Sequence, residues 1–290
     1  MKNLRCSSNG LGFLPPFRWV PSSVLSAAAA CTITITAGAA PVDIMVTVEN
    51  LAPANSISFA PLRFGFGNGM FDAFNAGGIA TAPIISVAEG GSGVDWFPAF
   101  AAADPTAVLG STSGALLPGA TFSTAKFRID TTINSYFTFG SMVVPSNDFF
   151  IGNDDPKEYR LFDAGGALVV HQINQTASDI WNAGSEAFDP ANAAFLVAGN
   201  NSLRTPENST VAFNFSELSG FNGLTTAPGY VFDGQLGPNS DIYRITFSVS
   251  AVPEPAESVA MVGVALGIGA CVWRRRRNAM TPTTQSSRVS

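Results

Sequence analysis

The sequence predicts an all-β protein, an antiparallel β-sandwich with one or two short helices, flanked by an N-terminal signal segment and a C-terminal transmembrane tail. Three observations carry this expectation. Short runs of alternating apolar and polar residues recur along the middle of the chain, which is the pattern of strands with one face on a core. Clusters of Gly, Pro, Asn and Ser punctuate those runs at the spacing of turns, while helical periodicity is confined to one region. Finally, the charge and cysteine content of the two ends differs sharply from that of the middle.

Taken in order, Lys2, Arg5 and Arg18 precede the stretch VLSAAAACTITITAGAA, which ends at Ala40. A charged segment, then apolar residues, then small ones is the order of a secretory signal, and Ala37-Gly38-Ala39 fits the cleavage position. Residues 1–40 are therefore expected to be a signal peptide and residues 41–250 the exported domain. Within that domain, strands are expected over 43–50, 56–62, 121–130, 136–144, 158–164, 167–174, 209–217 and 241–250. RITFSVS, within the last of these, shows the period-two alternation most clearly. One or two short helices are expected in ISVAEGGSGVDWFPAFAAADPTAVLG. No internal repeat of fixed period is present, which argues against propellers and solenoids. Many short strands with regular turn signals favour a sandwich.

The C-terminal end is compact in its signals. Val259 to Trp273 is almost wholly apolar and runs straight into Arg274–Arg277. Fifteen helical residues rise roughly 23 Å, short of the ~30 Å hydrocarbon core. A buried core helix would not end in four consecutive arginines, whereas a membrane segment stopped on the cytoplasmic side would. Residues 251–277 are thus expected to be a sorting and membrane segment, followed by a polar tail over 278–290.

Composition excludes several functions. Residues 41–252 hold 7 Lys or Arg against 19 Asp or Glu, a net charge of about −12. Nucleic-acid binding needs clustered cations, so no nucleic-acid partner is expected. Cys6, Cys31 and Cys271 all lie in the end segments, which leaves the domain with neither disulfides nor thiolate ligands. His171 is the sole histidine, which removes a multi-histidine zinc site and, with its strand-like flanks, speaks against a serine triad. GFGNGMF and EGGSGVD lack the spacing of nucleotide-binding loops, and no EF-hand spacing surrounds Asp148 or Asp154. Paired carboxylates for polymer hydrolysis stay open, because such partners meet in space rather than in sequence.

One stretch poses a sharper question. SMVVPSNDFFIGNDDP, Ser141 to Pro156, ends a strand-like run in Asn147, Asp148, Asn153, Asp154 and Asp155, with Phe149, Phe150 and Ile151 between them. Two readings stand: an oxygen-ligand site anchored by its own apolar plug, or a set of side-chain turns. Asn153-Asp154-Asp155 is read as a solvated turn.

Two resemblances bear on the choice. Pro253-Glu254-Pro255, the apolar span and the arginine cluster, in that order, resemble a PEP-CTERM sorting tail of Gram-negative bacteria. The resemblance implies export, transient inner-membrane anchoring, recognition by an exosortase, and delivery to the cell surface or extracellular matrix. The middle of the chain resembles the bacterial type of spondin N-terminal domain. The segments that carry this are VTVENLAP (46–53), GFGNGMFDAFNAG (65–77), SMVVPSNDFFIGND (141–154), YRLFDAGG (159–166), ASDIWNAGSEAFDPANAAF (177–195) and YRITFSVS (243–250). The resemblance implies a sandwich with one Ca²⁺ site and an adhesive extracellular role. Carried onto this chain, the ligand positions are Asp148, Asn182 and Glu186. Asn182 is a departure, offering a neutral carbonyl where the family usually has a carboxylate, and Asp179 is a possible replacement. The expectation is a non-enzymatic surface or matrix protein, adhesive or structural, whose partner is extracellular polysaccharide or another surface protein. The alternative is a secreted metal-assisted or carboxylate hydrolase of extracellular polysaccharide.

Overall fold

The structure, a computed structural model, describes residues 41–252. The signal peptide expected over 1–40 lies outside the described residues, as do Pro253, Glu254, Pro255, the apolar span and the polar tail. No helix among the described residues is long and apolar enough to cross a membrane.

The described chain is mostly β, built as two antiparallel sheets with few helices. The first sheet centres on β1 (Val42–Asn50) and β12 (Asp241–Ala251), the two ends of the domain, paired over the whole of β1 from Val42 opposite Ala251 to Asn50 opposite Tyr243. On the far side of β1 lie β5 (Thr121–Ser123) and β6 (Phe127–Ile129), and β9 (Gln172–Thr176) flanks β12. Alternation dictates the facing of β1: Ile44, Val46 and Val48 are buried while the residues between them are half-exposed. Asn50, fully buried at its end, satisfies both amide functions through Ile57, Leu116 and Ala52.

The second sheet runs in the order β11 (Ala212–Phe213), β10 (Trp181–Asn182), β8 (Phe149–Gly152), β7 (Tyr136–Val144), β3 (Arg63–Gly67) and β4 (Val108–Ser111), with β2 (Ser58–Phe59) also paired to β7. Its inner face meets the first sheet through rings such as Phe137 on Phe247, 4.8 Å between centroids, and Phe59 on Tyr243, 4.6 Å. Its outer face is covered by α1 (Ala82–Gly90) and α2 (Trp96–Ala103), which pack a second cluster of Phe71, Phe74, Val87, Trp96 and Phe100 against Phe150 and Trp181. Covered on both faces, β7 is buried from Phe137 to Val144.

The strands expected at 43–50, 136–144 and 241–250 are present within a residue or so. The run 121–130 divides into β5 and β6, both paired to β1. The run 158–164 forms only isolated bridges, because the Asp163 carboxylate accepts the N–H groups of Gly165 and Ala167 and turns the chain. The runs 56–62 and 209–217 shrink to β2 and β11, and the run 167–174 is displaced to β9, which overlaps it only from Gln172 and continues to Thr176. Both short helices fall within or overlap the region expected for them.

Candidate metal centre

β7 and β8 form an antiparallel pair, and the connection between them presents Ser146, Asn147 and Asp148. Phe149, Phe150 and Ile151 are at most 1% exposed, so the apolar triplet pins the backbone that carries Asp148. β8 then pairs with β10, placing Asn182 opposite Phe149, and the Ala183 N–H donates to the Asp148 carbonyl at 3.2 Å. After β10 the chain turns through Gly184, whose φ of +64° is a conformation that favours glycine. A Cβ there would stand 2.7 Å from the Ser209 carbonyl carbon.

This turn sets the Glu186 backbone on the Asp148 carboxylate, while the Asn182 side chain folds onto the turn itself. Asp148 Oδ2 accepts from the Ser185 N–H at 2.8 Å, the Glu186 N–H at 3.0 Å and the Ser185 hydroxyl at 3.3 Å. Asn182 Oδ1 accepts the Gly184 N–H at 2.6 Å. Asp148 and Glu186 are each 1% exposed. Burial pushes the Asp148 carboxyl up to about 6 against the pull of the Glu186 and Ser185 N–H groups. Burial likewise pushes Glu186 up to about 7; the carboxylates of Glu89 and Asp148 add to this, while Asn147 and Arg204 oppose it.

Asn147 belongs to the oxygen-bearing run singled out in the sequence, whereas Arg204 and Glu89 carried no sequence signal. Asn147, 4% exposed, donates to Glu186 Oε1 at 3.2 Å and accepts the Asp189 N–H at 3.1 Å. Arg204 stands with Nε 3.3 Å from Glu186 Oε2, yet its Nε–H hydrogen-bonds to Glu89 Oε2 at 2.7 Å instead. Glu186 Oε2 is consequently buried with no hydrogen-bond donor. Asp179 does not join the group, since its Oδ2 accepts from the Thr176 N–H and hydroxyl and caps a short 3₁₀ turn. Asn153 is not solvated: it is 3% exposed, accepts the Phe139 N–H and donates to the Asp155 carbonyl.

The residues present fit a hard divalent cation. A buried carboxylate oxygen without a hydrogen-bond donor is what such an ion satisfies, and Asp148, Glu186 and Asn182 carry oxygens of the required kind. Among the described residues no group of three or more His, Cys, Asp or Glu side chains could alone hold a metal. A full coordination shell would therefore draw on the amide, backbone carbonyls and water.

Beyond Trp181 lies a separate cleft of about 370 Å³, lined by Asp154, Asp155, Glu158, Asp179, Trp181 and Phe213. Trp181 is stacked under the exposed Phe213 with 3.6 Å between centroids. Burial raises Glu158, and Asp155, Asp179 and Asp154 add like-charge repulsion against the pull of Tyr159. No protein-family model matches this chain, and no curated protein matches it.

Proposed function

We propose that this chain is an exported cell-surface or matrix protein, a spondin-like sandwich with one Ca²⁺ site at Asp148, Asn182 and Glu186. Its role is adhesive or structural, toward extracellular polysaccharide or another surface protein, after sorting by an exosortase. The observation that carries the metal site is the buried, donor-free Glu186 Oε2 beside the equally buried Asp148. Bound there, the ion would add positive charge to two carboxylates that share only the Arg204 guanidinium beside Glu186. Asp148 holds the 182–186 turn through its Oδ2 whether or not a metal is present, and Asn147 orients Glu186 from the other side.

The test is thermal unfolding of the purified chain with calcium, with magnesium and with chelator, beside an Asp148→Ala, Glu186→Ala double variant. A ligand that binds only the native state raises its stability by mass action. A calcium-specific rise in Tm, absent from the double variant, is the expected result. Identical melts in all three conditions overturn the metal site.

The acidic cleft favours a second reading, a hydrolase of extracellular polysaccharide, because Glu158 is held toward its protonated form beside other carboxylates and aromatic walls. Polysaccharide turnover abolished by Glu158→Gln is the result that would support it.

A further inference from the structure

The segment carrying Arg204 crosses the candidate metal centre like a strap. The Ala187 N–H donates to the Thr205 carbonyl at 2.8 Å and the Glu207 N–H to the Ser185 carbonyl at 3.1 Å, which lays the strap along the turn that bears Glu186. Its other attachment is the C-terminal end of α1. Asn201 Nδ2 donates to the Glu89 carbonyl at 3.0 Å, Arg204 donates to the same carbonyl at 3.2 Å, and Arg204 Nε–H reaches the Glu89 carboxylate. Arg204 thus stands between a carboxylate on the helix, which takes its hydrogen bond, and one in the centre, which does not.

Charge makes the position informative. Two carboxylates face the single guanidinium, Glu89 on the helix and Glu186 in the centre, and Asp148 adds its own field to Glu186. A guanidinium 3.3 Å from Glu186 Oε2 and a metal ion bound to the same carboxylate would stand close enough to repel each other. Glu89 offers Arg204 an alternative resting place.

From this geometry we infer that Arg204 is a tethered counter-cation that competes with Ca²⁺ for Glu186, with Glu89 as the partner onto which it withdraws. The inference rests on the metal reading above and adds its regulation. Calcium affinity is set by how readily Arg204 leaves Glu186, and occupancy of the centre is coupled to the hold of the strap on α1.

The experiment is isothermal titration of the purified chain with calcium chloride, comparing wild type with Arg204→Gln, Glu89→Gln and the double variant. Arg204→Gln is expected to bind calcium at least about tenfold more tightly. Glu89→Gln is expected to bind more weakly, because Arg204 then settles on Glu186. The loss caused by Glu89→Gln should largely disappear in the Arg204→Gln background, which separates action through Arg204 from the direct field of Glu89. Calcium binding of equal or lower affinity in Arg204→Gln overturns the inference while leaving the metal reading intact. Absence of binding in every variant overturns both. Should Arg204→Gln fail to fold, Glu89→Gln decides alone, and unchanged or tighter binding overturns the proposal.

Discussion

Asp148 is expected to be structural as well as ligating, and two substitutions separate the roles. Its Oδ2 collects the Ser185 N–H, the Glu186 N–H and the Ser185 hydroxyl. Asp148→Ala removes that acceptor and orphans two backbone donors at a position that is 1% exposed. An unsatisfied buried donor costs about 1–3 kcal/mol, and one of the two is only part-buried, so the expected loss is about 2–4 kcal/mol. Asp148→Asn keeps an acceptor oxygen in place and removes a charge that burial already disfavours, the carboxyl being pushed up to about 6. Its loss should be less than half that of the alanine variant. The assay is urea unfolding at pH 8 in chelator, where metal cannot contribute, with the slope checked for constancy. Repeating it in calcium should stabilise the wild type alone. Equal destabilisation by Asn and Ala would refute the hydrogen-bond argument, and a calcium response in Asp148→Asn would refute the need for the carboxylate.

Three further outcomes follow from the same geometry. Gly184→Ala should cost at least about 2 kcal/mol in urea unfolding, from the left-handed backbone at φ +64° together with a Cβ 2.7 Å from Ser209, and should weaken any calcium response. Phe213→Ala should leave the fold intact but red-shift tryptophan emission, since Phe213 covers Trp181, Trp96 is fully buried elsewhere, and Trp19 and Trp273 lie outside the domain in both proteins. Glu158 holds its proton more tightly in the folded than in the unfolded chain, so its contribution falls as pH rises from the ordinary glutamate value through the raised one. Unfolding midpoints measured against pH should therefore slope less steeply in Glu158→Gln, and identical slopes would refute that.

The strands legible in the sequence are those whose environment matches their pattern. β1 and β12 have one face on the core and alternate accordingly, and β7 is a continuous apolar run because helices cover its second face. β3 escaped notice for the opposite reason. Gly65 and Gly67 lie under α2, where a Cβ at Gly65 would come within 2.5 Å of the Phe100 ring. Close packing there demands the residue that strand propensity penalises. β10 and β11, at two residues each, are too short to have any period. At the site, Asp148 and Glu186 were found through motif resemblance, and the apolar plug of Phe149–Ile151 was read from composition. Arg204 and Glu89 were not, because a contact between a loop cation and the end of a helix 115 residues away leaves no local trace.

The short strands at one edge of the second sheet also carry a mechanical meaning. β10 and β11 contribute two residues apiece, so few ladder hydrogen bonds resist peeling when a load pulls that edge from β8. What clamps it are the bonds from Ser185 and Glu186 to Asp148, which join positions 37 and 38 residues apart in the chain. The resistance of the edge to peeling therefore depends on the acceptor at Asp148 rather than on the length of its ladder.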